Sequence, residues 1–115
     1  MKYMLLMYAA ESEVPKYTPE EFQTVAQVWN ALRKEAQAAG VLLDSSGLSP
    51  VANATTVRVR NGKTLTTDGP FAETKEQLGS IYVIEAKDLN DAIQVAAKIP
   101  SARFGSIEVR PVWAG

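Results

Sequence analysis

Residues 67–79 constrain the fold more than any other part of this chain, because they place a turn and alternating charges between two strand-like patterns. Asp68 is a typical turn former, Gly69 tolerates backbone angles that other residues avoid, and Pro70 fixes the direction in which the chain leaves the turn. The run therefore predicts a specialised connection between two strands.

The first strand and the first helix follow from local patterns. Residues 2–9 are apolar at both alternating positions, which favours an interior strand over a short signal peptide. Thr18, Pro19 and Glu21 predict a helix start with a capping box, and Gly40 predicts the helix end. The apolar residues between them recur at the spacing of one helical face: Phe22, Val25, Ala26, Trp29, Leu32 and Ala36.

A hairpin is predicted in the middle of the chain. A second strand begins at residues 41–43, and residues 55–60 and 63–67 flank the turn signal Asn61-Gly62. A two-residue loop would mix apolar and charged side chains on both faces of this hairpin. We therefore predict a bulge at Gly62 that sets Val57 opposite Leu65 and places Val57, Val59 and Leu65 on one face.

The last third of the chain predicts strand, helix and strand. Residues 80–86 are strand-like, and Asp88 is the predicted cap of a second helix that Pro100 ends. Residues 106–113 form the last predicted strand, with Ile107, Val109 and Trp113 facing one way. The apolar face of the second helix comprises Leu89, Ala92, Ile93, Ala96 and Ala97.

This order of elements is typical of a split βαβ unit. It predicts one α+β domain over residues 1–115, ferredoxin-like, in which an antiparallel sheet carries two helices on one face and an extra hairpin. The uncovered face is also apolar in the first and the fifth predicted strands. We therefore expect that face to pack against a second copy or to enclose a ligand, with a homodimer as the simplest solution.

Composition excludes several classes of site and partner. The chain has no histidine and no cysteine, which removes the usual acid/base, thiolate and metal-ligand chemistry. The net charge is −1, and neither a nucleotide-binding loop nor clustered carboxylates occur. We expect no cofactor, no nucleic-acid or membrane partner, and a cytoplasmic location.

Three segments together resemble the DGPF branch of the YCII-related proteins: Met1-Lys2-Tyr3-Met4-Leu5-Leu6-Met7-Tyr8, Asp68-Gly69-Pro70-Phe71-Ala72-Glu73-Thr74-Lys75-Glu76 and Ile107-Glu108-Val109-Arg110-Pro111. The resemblance covers nearly the whole chain and implies a dimeric α/β barrel with pockets between sheet and helices. That superfamily includes cofactor-free enzymes, haem enzymes and small-molecule sensors, and some DGPF proteins are encoded beside sigma factors. The pocket His/Asp pair discussed for YCII relatives is excluded here, because histidine is absent.

Five residues are candidates for a site. Asp68 is the candidate acid/base, with a purely structural turn as the alternative. Lys75 either neutralises an anion from a lid or belongs to a solvated surface run, and Arg110 either binds a ligand carboxylate or forms a structural ion pair. Tyr8 and Tyr82 offer hydroxyls to a pocket or serve as packing groups.

Two functions remain open on this basis. The first is a ligand-binding or regulatory dimer, linked through the resemblance to sigma-factor signalling. The alternative is a cofactor-independent isomerase, lyase or oxygenase-like enzyme that uses Asp68, with Arg110 or Lys75 stabilising negative charge. Because no convincing catalytic pair is present, we favour the first.

Overall fold

Two α-helices and two antiparallel sheets make up the chain, which a computed structural model describes for residues 1–114. The helices are α1 (Pro19–Ala38) and α2 (Leu89–Ala97). Short 3₁₀ turns lie at Glu11–Glu13, Val51–Asn53 and Pro100–Arg103. The strands are β1 (Lys2–Ala9), β2 (Leu42–Gly47), β3 (Thr55–Arg60), β4 (Lys63–Asp68), β5 (Gln77–Glu85) and β6 (Ser106–Pro111).

The main sheet has the strand order β2-β5-β1-β6, and every neighbouring pair is antiparallel. The central strand β1 therefore pairs with β5 on one side and β6 on the other. The connection β1-α1-β2 skips one strand position, which β5 fills. This arrangement is compatible with a ferredoxin-like fold, as the order of elements in the sequence predicts.

Both helix starts are formed by the predicted side chains. The Thr18 hydroxyl accepts a hydrogen bond from the Glu21 backbone N at 3.2 Å, and the Glu21 carboxylate accepts one from the Thr18 backbone N at 3.4 Å. Asp88 accepts a hydrogen bond from the Asp91 backbone N at 2.9 Å. These bonds satisfy backbone donors that the first turn of a helix leaves free.

The core lies on the helix-covered face of the sheet. In β1, Tyr3, Leu5 and Met7 are buried, and Leu5 is 0% exposed. The buried core comprises these three residues with Leu42, Ile84, Ala86, Ala92, Ala96 and Ile99.

The second face of the main sheet carries no helix in the part of the chain described; its centre is apolar, and charged residues such as Glu108 and Arg110 lie at its edge. Met4 and Leu6 of β1 point to this face, beside Val83 and Ile81 of β5. All four side chains are half-buried. We call this surface the open face, defined by Met4, Leu6, Ile81 and Val83.

The predicted register of the hairpin is wrong. Val57 pairs with Thr66 and Arg58 pairs with Leu65, so the loop contains two residues, Asn61 and Gly62, at φ 53° and 73°. Leu65 therefore lies on the face opposite Val57. The residues of both strands are exposed except the half-buried Thr56, so no core contact selects the bulged register, and the Asn-Gly turn decides the pairing.

Other apolar residues are less buried than their sequence patterns predict. Trp113 is 88% exposed, because β6 ends at Pro111 and the residue lies beyond the last strand. On the helices, Phe22, Leu32, Leu89 and Ile93 are exposed, while the alanines Ala92 and Ala96 form the buried contact of α2. Small residues bring α2 close to the sheet, whereas cavities separate α1 from it.

The chain exposes more surface than its mass predicts. Its accessible surface is 8701 Å², whereas a folded monomer of 12.5 kDa exposes roughly 6,200 Å². Its radius of gyration is 16.3 Å, against about 13 Å for a compact chain of this length. No helix in residues 1–114 is both long enough and apolar enough to cross a bilayer.

Candidate ligand-binding site

A cavity of about 330 Å³ opens between α1, α2 and the main sheet. We call it the inter-helix cavity. The sheet contributes Leu42, Tyr82 and Ile84 to its walls, and α1 contributes Trp29, Leu32 and Ala36. Val95, Ile99 and Pro100 complete the apolar lining. Such a volume lies at the lower end of the range typical of small-molecule sites.

Tyr82 is the polar side chain that the sheet contributes to the wall of the inter-helix cavity. Burial raises the pKa of its phenol above the ordinary 10.0, and the positive charge of Arg33 partly opposes this rise. No group within residues 1–114 forms a hydrogen bond with the Tyr82 hydroxyl. The phenol therefore keeps an O–H donor without a protein partner in the described residues, and it stays protonated at neutral pH.

Two cations accompany this phenol. Arg33 and Lys98 line the inter-helix cavity, and both side chains are exposed, so their charged groups remain solvated. Arg33 donates a hydrogen bond of 2.6 Å to the Asn30 side chain one turn earlier, which helps to orient the guanidinium. The exposed Glu35 also lines the cavity. The charged groups thus favour an anion beside Tyr82.

A second cavity of about 490 Å³ lies at the end of the sheet where β1 finishes. We call it the end cavity. Met7, Tyr8, Leu78 and Phe104 line it, and so does Trp29, which also lines the inter-helix cavity. The Ser101 hydroxyl, another lining group, is buried without a hydrogen-bond partner in the part of the chain described.

Hydrogen bonds hold the segments around the end cavity. The Gln77 side chain accepts a bond from the Glu11 backbone N at 2.9 Å and donates one to the Thr74 carbonyl at 2.7 Å. The Glu11 carboxylate accepts from the Val51 backbone N at 3.2 Å. The start of β5 is thereby tied to the chain after β1 and to the turn that precedes the hairpin.

The five residues singled out in the sequence do not meet at one place. Tyr82 lines the inter-helix cavity and Tyr8 lines the end cavity. Asp68 is exposed, pairs with Thr55 at the end of the hairpin and lines neither cavity.

Lys75 and Arg110 lie elsewhere. Lys75 is exposed in the connection that follows the hairpin, and Arg110 is exposed on β6, beside Met4 at the edge of the open face. Neither residue lines a described cavity.

Sequence reasoning missed four residues of these cavities. Trp29 was expected to be a packing residue, and Arg33, Lys98 and Ser101 were not singled out. Arg33 follows Trp29 by four residues, so both lie on one helical face, and this spacing was the available signal. Nothing comparable indicates Lys98 or Ser101, because their role depends on how α2 and the following turn pack against the sheet.

The arrangement is suited to binding. An aromatic wall, a phenol and two cations are groups that can bind an apolar molecule carrying an anionic group. No group of three or more acidic, histidine or cysteine side chains gathers at metal-binding distances in residues 1–114. The chemistry that the cavity supplies is therefore hydrogen bonding, stacking and charge.

Comparison with known proteins assigns the chain to a family. The sequence model of the YCII-related domain matches residues 1–114. The chain belongs to the YCII-related domain family. This YCII-related chain is 38% identical to the uncharacterized protein R00369 of Rhizobium meliloti (strain 1021) over 114 residues, which cover 97% of this chain and 92% of the relative.

Proposed function

We propose that this YCII-related protein is a homodimer that binds a small apolar molecule with an anionic group in the inter-helix cavity. The observation that carries the proposal is the Tyr82 phenol, which has no partner in the described residues and shares a mostly apolar cavity with Arg33, Lys98 and Glu35. A buried or half-buried donor gains most from a ligand that supplies the missing acceptor.

The apolar walls of the inter-helix cavity favour a ligand with an apolar skeleton. The Trp29 indole and the side chains of Leu42, Ile84 and Val95 offer an apolar lining on three sides. A flat or branched hydrocarbon skeleton would be desolvated against them, at roughly 25 cal/mol per Å² of buried apolar surface. A carboxylate or phenolate on that skeleton would accept the Tyr82 proton donor and pair with Arg33.

The dimer is proposed to form through the open face. Met4, Leu6, Ile81 and Val83 are apolar and carry no helix, so a second sheet packed against them would complete a dimeric α/β barrel. The surface in excess of that of a compact monomer is about 2,500 Å² per chain, or about 5,000 Å² for two chains, which is at the upper end of the roughly 2,000–5,000 Å² that permanent dimers bury in total. The Asp68-Gly69-Pro70-Phe71 run supports placement in the DGPF branch.

A regulatory role is compatible with this proposal. A ligand held between α1 and the sheet can change the position of α1, whose outer face a partner protein could recognise. The link to sigma-factor signalling belongs to this proposal and rests on the resemblance to DGPF proteins.

The alternative is a cofactor-independent enzyme in which Asp68 is the acid/base. It has less support, because Asp68 is exposed and lines neither cavity. A general base must lie within hydrogen-bonding reach of the bound substrate. Only a partner chain or a rearranged hairpin would bring a ligand to this carboxylate.

The binding proposal is tested with 8-anilinonaphthalene-1-sulfonate, an aromatic anion whose fluorescence reports an apolar site. In a Trp113→Phe background, Trp29 is the remaining tryptophan, so energy transfer from Trp29 shows binding near α1, and substitutions at Tyr82 and Arg33 distinguish the inter-helix cavity from the end cavity. Removing the phenol donor with Tyr82→Phe is expected to weaken binding about fivefold, the effect of one hydrogen bond. Arg33→Gln is expected to weaken it about tenfold.

The matched control is Asp68→Asn, which should bind the probe as the parent does. Equal affinity of the parent, Tyr82→Phe and Arg33→Gln would contradict the proposed site. A loss of binding in Asp68→Asn alone would instead support the enzyme alternative. Circular dichroism of each variant confirms that the fold is retained.

A further inference from the structure

We propose that the β3–β4 hairpin is an arm that docks onto a second copy of the chain, where its Val57 and Val59 face covers the acidic segment of residues 11–22. This inference rests on the proposed homodimer and assigns the hairpin a part in it. The reasons are the exposure of the hairpin, its two chemically different faces, and the charge and position of the segment that it would cover.

Within residues 1–114, the hairpin is almost wholly exposed. Five of the six β3 residues and all six β4 residues are exposed. β3 and β4 form a separate two-stranded sheet, joined to neither edge of the main sheet. Because an isolated two-stranded hairpin is at best marginally stable in water, an ordered arm of this kind needs a surface to pack on.

One face of the arm is apolar and the other is basic. Val57 and Val59, each 59% exposed, share a face with Thr64 and Thr66. Arg58, Arg60 and Lys63 lie on the opposite face, where they can extend around the edges of the ribbon. Antiparallel ribbons with this alternation normally bury the apolar face and leave the charged face at the rim.

The net charge of the arm indicates which surface of the second copy it contacts. The arm, residues 55–68, contains three cations and one acidic residue, Asp68, which pairs with Thr55 at the base of the ribbon. Residues 11–22 contain the glutamates Glu11, Glu13, Glu20 and Glu21 against one lysine, together with the exposed apolar side chains Val14, Tyr17 and Phe22. The excess of acids in residues 11–22 is complementary in sign to the excess of bases in the arm, whose long side chains can extend around its edges.

The position of the acidic segment makes a symmetric exchange possible. The Glu11 carboxylate accepts a hydrogen bond from the Val51 backbone N, immediately before the arm, so the acidic segment begins beside the base of its own arm. Six-residue strands reach about 20 Å. A two-fold axis beside that base would lay each arm over the acidic segment of the other chain, which is the reciprocal contact that a symmetric dimer requires.

Cross-linking tests the contact directly, because the chain contains no cysteine and any introduced thiol is unique. Differently tagged chains carrying Val59→Cys and Val14→Cys are mixed and treated with a short bismaleimide. We expect the mixed product to form at least five times faster than with Leu65→Cys, which places the thiol on the opposite face of the same arm. Equal rates would overturn the proposal.

Charge reversal supplies a second, independent measurement. Arg58→Glu with Arg60→Glu should weaken self-association at least tenfold, and mixing with the Glu20→Lys, Glu21→Lys chain should restore it. The control with the same change in charge is Lys87→Glu with Arg103→Glu, at exposed cations outside the arm. Sedimentation velocity measures the association.

The possible results distinguish the proposed arm contact from the proposed dimer. A dimer that is unaffected by Arg58→Glu with Arg60→Glu and shows no preferred cross-link would overturn the arm and leave the dimer. A parent chain that is a monomer at all concentrations would overturn both. Binding of DNA that requires Arg58 and Arg60, with association unchanged, would also overturn the arm and assign the basic face to nucleic acid.

Discussion

The phenol of Tyr82 and the guanidinium of Arg33 line the same cavity, one from β5 and the other from α1, and the positive charge opposes the rise that burial gives to the Tyr82 pKa. A protonated phenol beside a permanent cation can donate one hydrogen bond and offer one ion pair to the same anion. This relationship is the physical basis of the proposed site.

Stability should depend on Tyr82 at alkaline pH. Burial disfavours the phenolate, so the pKa of the folded state lies above 10.0, while the unfolded chain has the ordinary value. The folded state then binds more protons than the unfolded state, and the free energy of unfolding falls as pH rises above about 10. Urea denaturation at pH 9 and pH 11 should show a smaller loss for Tyr82→Phe than for the parent. An identical loss would contradict this role of burial.

Gly105 should not tolerate a side chain. A Cβ at this position would collide with the backbone carbonyl oxygen of Tyr8 and crowd Ala9, so Gly105→Ala must push the start of β6 away from β1. We expect a loss of about 2 kcal/mol or more in the free energy of unfolding, measured with urea. Gly47→Ala is the matched control, because its Cβ meets nothing within 4 Å. A similar result for both alanines would disprove the steric argument.

Leu5 should be the most sensitive aliphatic residue of β1. Its side chain is 0% exposed at the centre of the core, so Leu5→Ala leaves a cavity and should cost about 2–5 kcal/mol of unfolding free energy. Leu43→Ala removes the same atoms from a residue that is 47% exposed and should cost less than about 1 kcal/mol. Equal costs would mean that the core is not centred on β1.

A charged side chain introduced on the open face should dissociate the proposed dimer. Leu6→Asp and Ile81→Asp each place a carboxylate on the central strands of that face, where a packed second sheet would bury it without a partner. Light scattering should find a dimer for the parent and a single chain for either variant. Leu43→Asp, at an exposed residue of the edge strand β2, should remain dimeric. A dimer for all three variants would exclude this face from the interface.

The sequence predicted those parts of the fold that are determined locally. Thr18 and Asp88 cap the two helices as expected, and residues 2–9 form the first strand with its predicted limits. The order of elements predicted the α+β arrangement. A helix that connects two strands separated by one other strand leaves few alternative arrangements. The homodimer and the cytoplasmic location stay predictions.

The errors have physical causes. The hairpin register was inferred from burial, but Val57 and Leu65 are exposed in this chain, so the Asn61-Gly62 turn alone sets the pairing. Tyr82 was among the predicted site residues, whereas Lys98 and Ser101 could not be found, because no local pattern relates the turn after α2 to the sheet. Asp68 lines neither cavity, and its role in a site stays a prediction, because a turn pattern does not reveal the direction of a carboxylate.

Trp29 lines both cavities, so a single indole bounds each of them. Replacing that indole with a small side chain should enlarge both cavities on the side of α1, so that longer molecules fit. Among related chains, the size of the residue at this one position would then set the greatest length of ligand admitted, with no change to the strands or to the helix caps.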